Sequence, residues 1–413
     1  MNSQIRLAGQ WVKRQHLLWR LALAKGEERK RVNAVLNWKE FWQKRTRLTS
    51  MPRHVQIGTN WTCNLKCNFC RLTQEETQAR LRQLPRKDLE ISDAVLETVL
   101  ELLPYPEMIT LTPLGEPLLY SKIGVLLERH RQLESHNLAL TTNANLIDEE
   151  RARMIVEGGL AHLFVSIDAV TPDLYSQMRV RGSIEKVEAA LESINRWKEI
   201  LKSPFPTMTL AATFLARNLS EMPRLLDFAL KHKFNSYSIQ VMEIENEELA
   251  PEFIGNHLEM AKEMVLTTLA RAEGKPIEIS LNLGFRSLLS GVMSPSEMKT
   301  LARFMPDDNG MPDETGVLTE ENRKLAQWST RGKTLIEKCH YPWYFLLIDT
   351  DGEVRPCCWA AISWGNLNRS SLDEVWNSPA AIQMREHFLQ NHIPKGCQNK
   401  SCRVELFHTG TLE

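Results

Sequence analysis

The sequence predicts an α/β fold: a parallel sheet flanked by helices, either an open doubly wound sheet or a partial (β/α)6 TIM-like barrel. Three observations predict it. Six short apolar runs of β type recur between His54 and Met242, amphipathic helical stretches separate them, and polar loop-forming residues close several of them. In either architecture, ligands are expected at the C-terminal ends of the strands.

Residues 1–50 read as two helices. Leu7, Trp11, Leu18 and Leu21 share one face, Gly26 is a break, and Val32, Val35, Leu36 and Phe41 or Trp42 form a second stripe. Basic residues fill the other faces. Residues 1–53 hold 13 Lys/Arg against 3 Asp/Glu, although the 413-residue chain is balanced at 51 of each. This basic helical extension suits an anionic partner, a nucleic acid or a membrane surface, and equally a solvated or domain-covering helix pair.

The strand runs follow at 54–59, 108–113, 137–142, 162–168, 207–214 and 236–242, with helices at 92–103, 121–134, 148–158, 184–201 and 221–232. A further helix is expected over 252–273. Residues 54–282 thus form the barrel, and 283–338, without a clean period, a linker or lid. Residues 339–413 form a small Cys-rich C-terminal domain.

Composition narrows the class. With 43% hydrophobic and 25% charged residues, global disorder is excluded. No apolar run reaches the ~18–20 residues needed to span a bilayer, and export is not expected: the early run Leu17 to Ala24 is broken by Arg20, with no cleavage site after it. There is no Walker loop and no G-x-G-x-x-G, which argues against a dinucleotide enzyme. The eight cysteines cluster, three in 63–70 and five in 339–402. That clustering points to metal ligands or redox chemistry in a reducing cytoplasm rather than to a disulfide framework.

Immediately after the first run comes Cys63-Asn-Leu-Lys-Cys67-Asn-Phe-Cys70. A loop this tight can place three thiolates around one centre, and three ligands on a [4Fe-4S] cube leave one iron open to a small molecule. A structural zinc site closes instead with a fourth Cys or His, and the nearest, His54, lies at the far end of the strand.

The segment resembles the signature of the radical S-adenosylmethionine (SAM) superfamily, including the aromatic Phe69 just before the last cysteine. The resemblance implies that Cys63, Cys67 and Cys70 hold a [4Fe-4S] cluster whose open iron chelates the amino and carboxylate groups of SAM. An electron from the cluster then splits SAM into methionine and a 5′-deoxyadenosyl radical. Thr112-Pro-Leu-Gly115-Glu116-Pro117 is similar to the family's Gly-Gly-Glu turn, which holds the SAM ammonium, with Leu114 in place of the first glycine. Thr142 and Asn143 after the third run, and Ser166 and Asp168 after the fourth, match positions near the ribose and methionine parts of SAM. Tyr175 to Gly182 resembles the stretch bearing an arginine near the SAM carboxylate, and both Arg179 and Arg181 qualify. Taken singly, Gly115-Glu116-Pro117 reads equally as an ordinary turn, and Asn143 or Asp168 as a helix cap.

Near the C-terminus, Cys339 is followed after 12 residues by Gly352, with Cys357 beyond it. The intervening Tyr344 to Arg355 reads as a β-hairpin with an Asp-Gly turn, which would bring Cys339 and Cys357 together at its base. Cys397 and Cys402, after a helix around 372–390, complete four thiolates. The module resembles the SPASM/twitch extension of radical SAM enzymes. Its five cysteines, against about seven in the full pattern as read from that family, imply one auxiliary [4Fe-4S] cluster on Cys339, Cys357, Cys397 and Cys402. Cys358 is a spare ligand, a hydrogen-atom donor or a buried thiol. A four-cysteine zinc site is the alternative.

By resemblance, the reaction begins with hydrogen-atom abstraction from an unactivated carbon and needs an electron donor such as flavodoxin or ferredoxin. The auxiliary cluster would bind substrate or accept an electron. The leading expectation is modification of a peptide or protein; the second is a dehydrogenase or epimerase of a small molecule such as an aminocyclitol or sugar. A different class is a non-catalytic Fe-S or zinc scaffold binding RNA through residues 1–53.

Overall fold

The structure, a computed structural model, describes residues 18–112, 114–242, 247–303, 339–358, 360–390 and 392–397. Cys402 and most of the expected linker, along with Leu7 and Trp11, lie outside the described residues.

Residues 18–23 are helical and α1 spans Gly26–Trp42, with Gly26 at φ 48° marking the break between them. The chain then alternates: β1 His54–Ile57, α2 Glu75–Arg82, α3 Asp93–Leu102, β2 Met108–Leu111, α4 Ile123–Leu133, β3 Leu138–Thr142, α5 Glu149–Glu157 and β4 His162–Ser166. It continues with α6 Pro172–Met178, α7 Ile184–Ile200, β5 Thr207–Phe214, α8 Met222–Lys231, β6 Ser236–Val241, α9 Leu258–Ala272 and β7 Glu278–Leu281. Two helices, α10 Leu283–Ser290 and α11 Pro295–Arg303, occupy the start of the expected linker. The C-terminal part adds β8 Phe345–Ile348, β9 Glu353–Arg355, β10 Gly365–Asn366, α12 Leu372–Trp376 and α13 Pro379–Leu389.

All ten strands form one sheet in the order β10-β9-β8-β1-β2-β3-β4-β5-β6-β7. Neighbours from β1 to β7 are parallel. The strands read as apolar runs because helices cover them: Val55, Ile57, Ile109, Leu111, Leu163, Val165, Leu210 and Ile239 are all fully buried. Each such side chain contributes about 1.5–3 kcal/mol relative to exposure. Helix starts follow local chemistry: Ser92, Asp148 and Ser183 accept from the backbone N–H three residues on.

Four expectations need revising. A seventh parallel strand, β7, Glu278–Leu281, follows the expected six. The expected hairpin is present, with Gly352 at φ 81° in its turn, but it does not stand apart, since β8 pairs in parallel with β1 and extends the barrel sheet. The helix expected over 372–390 is two, because Ser378 caps a new start with Pro379 in its first turn. The fourth revision concerns α1. It buries Val32 and Leu36, as expected, but leaves Val35 and Trp42 46% and 39% exposed and buries Asn33, Asn37 and Glu40 instead.

Those polar groups are fully employed. Asn33 binds the Met51 N–H and the Tyr105 carbonyl, and Asn37 donates to the Trp343 carbonyl at 2.6 Å. Glu40 accepts from the Thr49 and Ser50 N–H groups and from the Ser50 hydroxyl. From the opposite side, the buried Arg385 of α13 donates to the carbonyls of Thr46, Pro342 and Trp376. Hydrogen bonds from one charged side chain thus tie the N-terminal region, the approach to β8 and the C-terminal helices together.

Candidate active site at the strand C-termini

β1 ends at Ile57 and delivers a loop, Gly58 to Cys70, onto the C-terminal face of the sheet. Its course is fixed by Asn60, a fully buried residue that sequence reading missed. Asn60 Nδ2 donates to the Thr62 carbonyl, the Thr62 hydroxyl and the Glu116 carbonyl. The Glu116 N–H returns a 2.7 Å bond to the Thr62 carbonyl. Gly115, at φ 83°, lies so close to this loop that a Cβ there would stand 2.3 Å from the Asn60 carbonyl oxygen. The turn after β2 is therefore seated on the cysteine loop, and only glycine fits at the contact.

Three cysteines share that loop. Cys67 is buried, and Cys63 and Cys70 are half-buried. The Thr73 hydroxyl reaches the carbonyls of both Cys67 and Cys70 at 2.7 Å, closing the second half of the loop. Cys63 Sγ accepts from the Leu65 N–H at 3.4 Å and lies 3.9 Å from Asn143 Nδ2. Burial pushes the Cys63 and Cys67 thiols up to about 11; Cys70 adds to both, and Cys63 to Cys67. As bare thiols they are protonated, and a positively charged iron site is the kind of partner that draws out their thiolates.

Among the described residues, no three His, Cys, Asp or Glu side chains converge as ligands of one metal ion. A cubane asks for a different arrangement: each thiolate takes its own iron, so the sulfurs stand farther apart than ligands of a single ion. The donor set, three thiols on one loop with no carboxylate or imidazole among them, fits an iron–sulfur cluster. His54 is no fourth ligand; it sits at the other end of β1 against Phe345, with burial lowering its pKa to about 4.

Glu116 is buried at the centre of the site. It accepts from the Thr142 hydroxyl at 2.7 Å, the Asn143 N–H at 2.9 Å and the Leu118 N–H at 3.3 Å. Burial raises its pKa, and these donors and Arg179 oppose the rise. Glu116 thus locks the ends of β2 and β3 together. Asn143 reaches back to the cysteine loop, donating to Asn64 Oδ1 at 3.0 Å. It does not cap α5, whose cap is Asp148.

Asp168, two residues past β4, is fully buried. Its Oδ1 accepts from the Thr213 N–H at 2.8 Å and its Oδ2 stands 2.7 Å from the Arg179 guanidinium. Asp168 does not cap α6, whose N-cap is Thr171. Burial pushes the Asp168 carboxyl up, while Arg179 and the Thr213 N–H pull it back. Burial works against the Arg179 charge, but Asp168, Cys67 and Tyr175 together outweigh it and hold the guanidinium cationic. Arg179 lies 5.9 Å from the centre of the Phe69 ring, and its buried Nε–H has no hydrogen-bond partner among the described residues. An unanswered donor on a buried cation invites an anion.

The structure separates the two arginines. Arg179 enters the site, whereas Arg181 is exposed, at φ 74° in the turn before α7. Ser166 closes β4 half-buried. Phe69, Gly115, Glu116, Thr142, Asn143, Asp168 and Arg179 are thus linked to the three-cysteine loop by the contacts above. Besides Asn60, sequence reading missed Asn64, Asn145 and Tyr175; Asn145 donates to the Tyr175 hydroxyl and accepts from the Ser183 N–H. Only their polarity beside the strand ends signalled them.

The C-terminal thiols lie at the opposite end. Because β8 is parallel to β1 and β9 antiparallel to β8, Cys339 before β8 and Cys357 after β9 both fall toward the N-terminal ends of β1 and β8. The Ala361 N–H donates to the Gly396 carbonyl, which draws buried Cys397 to the same loop. This donor set also fits an iron–sulfur cluster. Cys358 is exposed there, on the far side of the sheet from Cys63, which argues against donation of a hydrogen atom near the first site.

Comparison with known proteins agrees with this geometry. The profile of the Radical SAM superfamily matches residues 62–229, and that of the SPASM iron-sulfur cluster-binding domain matches 339–403. A probable GTP 3′,8-cyclase of Methanococcus maripaludis strain C5 is 26% identical over 182 residues, covering 43% of this chain and 55% of that protein. The GTP 3′,8-cyclase of Aquifex aeolicus strain VF5 is 32% identical over 148 residues, 35% of this chain and 44% of that protein. The chain therefore spans about half the length of these curated relatives.

Among solved structures, Streptococcus suis SuiB bound to SAM superposes with a TM-score of 0.56 at 14% identity, covering 92% of this chain and 80% of that one. SuiB has also been solved with its precursor peptide SuiA (TM-score 0.55, 15% identity, 92% and 80% covered). The enzyme anSMEcpe with bound SAM and the Cp18Cys peptide gives 0.52 at 16% identity, with 85% and 87% covered. At these identities the likeness is one of fold. With a cysteine loop, a glycine–glutamate turn and a buried arginine gathered at the strand C-termini, and with both profiles matched in order, the chain belongs to the radical SAM superfamily, with its [4Fe-4S] cluster and SAM, and carries a C-terminal SPASM domain with an auxiliary iron–sulfur cluster.

Proposed function

We propose that this chain cleaves SAM reductively and removes a hydrogen atom from a carbon of a peptide or protein substrate. The observation that carries the reading is the convergence of the Cys63–Cys70 loop, the Gly115-Glu116 turn and the Asp168–Arg179 pair on one face of the sheet. When bound, the cluster and SAM supply the electron and the carbon-centred radical. The protein's share is placement. Cys63, Cys67 and Cys70 would hold the cluster, three thiolates that would leave a place on it for SAM. Arg179, aimed by Asp168, would offer the SAM carboxylate its Nε–H, which has no partner among the described residues. Glu116 ties the ends of β2 and β3 together, and the Gly115 backbone would be the part that meets the SAM ammonium. Asn143 and Ser166 would meet the ribose and methionine groups, as the resemblance implies.

A peptide substrate is favoured over a nucleotide by where the likenesses fall. The cyclase matches cover 43% of the chain or less, whereas the peptide-bound neighbours cover 85–92% of it. The auxiliary cluster's position, at the other end of β1 and β8 from the radical, supports electron transfer over substrate binding for it.

The test is anaerobic reconstitution followed by reduction with dithionite and SAM. Formation of 5′-deoxyadenosine is expected, with loss of at least 100-fold on Cys67→Ala and retained, uncoupled cleavage in Cys397→Ala. Deuterium from a labelled peptide should appear in 5′-deoxyadenosine. Label arriving only from a labelled nucleotide or sugar would sink the peptide reading.

A further inference from the structure

The segment that follows Cys339 is packed against α1 and the chain just beyond it. Asn37 donates to the Trp343 carbonyl at 2.6 Å, and Trp343 Nε1 donates to the Arg45 carbonyl at 2.7 Å. The Phe41 ring stands 5.6 Å from Trp343 and 6.2 Å from His340, the residue after Cys339. Farther along, Trp376 Nε1 donates to the Ser50 carbonyl, and Leu48 and Asn377 exchange two bonds. The N-terminal segment is therefore built into the C-terminal module.

At this junction lies a small cavity of about 10 Å³, with Trp38, Phe41, Arg53 and His340 in its walls. That is the room of roughly one water molecule and too little for an organic ligand. Two of the lining side chains, Trp38 and His340, each carry a buried nitrogen, Nε1 and Nε2, with no hydrogen-bond partner among the described residues. The Arg53 guanidinium, 4.5 Å over the Trp38 ring, is engaged by Glu107. Buried polar atoms in native proteins are answered by protein or by ordered water. An indole N–H only donates, and an imidazole nitrogen donates or accepts according to its tautomer. Water meets both needs, because its oxygen accepts two bonds and it has two hydrogens to give.

We infer that one buried water joins Trp38 Nε1 to His340 Nε2, and that through this bridge α1 positions the backbone of Cys339 for the auxiliary cluster. Trp38 and His340 are then positioning residues, which act through a neighbouring ligand and touch neither substrate nor SAM. The inference rests on the reading above for Cys339 as a ligand of that cluster. It also gives α1 a role inside the molecule: the helix holds one edge of a metal site in place.

Anaerobically grown crystals of the full chain should show one ordered water within about 3.2 Å of both nitrogens. That readout involves no cluster chemistry, so it separates the bridge from the reading it rests on. The second measurement is release of iron to a chelator from the reconstituted full chain. In Trp38→Phe and in His340→Phe, about half the iron, that of the auxiliary cluster, should leave about tenfold faster than in the unaltered chain. His340→Gln keeps a polar atom for the water and should restore slow release. The double variant Trp38→Phe/His340→Phe should be no faster than either single one, because both lose the same bridge. Formation of 5′-deoxyadenosine with dithionite should be equal in all of them. A dry cavity overturns the inference. So does slow release kept in His340→Phe and lost in His340→Gln, the order that ring packing alone predicts, and so do additive effects in the double variant.

Discussion

Replacing Asp168 by Asn isolates the pair on which the proposed SAM carboxylate site depends. Asn keeps the shape of the side chain and an oxygen for the Thr213 N–H, so the change removes one charge and little else. The partner left behind is Arg179, whose side chain is 10% exposed and whose ion pair at 2.7 Å is lost. Breaking a buried ion pair from one side costs about 3–5 kcal/mol, most of it the penalty of an uncompensated buried charge. Urea unfolding of the anaerobic full chain, followed by tryptophan fluorescence, should register that loss.

A guanidinium no longer held in one orientation also binds a carboxylate less well. The SAM affinity of the reconstituted chain, by calorimetric titration, should weaken about tenfold, the scale on which loss of an outer positioning partner is felt. Arg181→Ala is the control, an exposed site expected to change stability by under about 0.5 kcal/mol and SAM binding not at all. Stability within about 1 kcal/mol of the unaltered chain, or an equal loss of SAM binding in Arg181→Ala, would refute the assignment.

Other outcomes follow from the same packing. Gly115→Ala forces a Cβ to 2.3 Å from the Asn60 carbonyl at a φ of 83°, and should cost about 2–5 kcal/mol in urea unfolding and abolish SAM binding. Arg385→Met removes a charged donor from three backbone carbonyls; a loss of about 3–5 kcal/mol is expected, and an unchanged midpoint would deny it any role in joining the N- and C-terminal regions. His162, held between the Thr207 and Thr209 hydroxyls, has its pKa lowered by burial from 6.5 to about 4. Its neutral form belongs to the folded state, so its contribution is complete above pH 6.5 and is lost as pH falls toward 4, by about 2 kcal/mol at pH 5. In His162→Gln, the drop in stability between pH 7 and pH 5 should shrink by that amount.

The sequence by itself determined the alternation of strands and helices, because sheet burial demands apolar runs and helix packing demands a 3.6-residue period. It also determined the three-cysteine loop, since ligands seven residues apart or less are neighbours in any fold. Gly115 and Glu116 were singled out by resemblance to a family turn, since taken alone they read equally as an ordinary turn. What sequence could not decide were pairings between distant segments. Arg179 and Arg181 are equivalent by spacing, and only the buried position of Asp168 chooses between them. Asp168 is itself a partner of that arginine and of the Thr213 N–H, contacts 11 and 45 residues away that carry no local signal.

The polar buried face of α1 escaped reading because Asn33, Asn37 and Glu40 satisfy backbone groups of remote segments, which no hydrophobic period records. The tertiary structure alone put β8 on the free edge of β1 in parallel, and so sent the two cysteine clusters to opposite ends of one pair of strands. Strand partners are chosen by which edge is open and which faces are covered, properties of the assembled sheet that a linear chain does not carry.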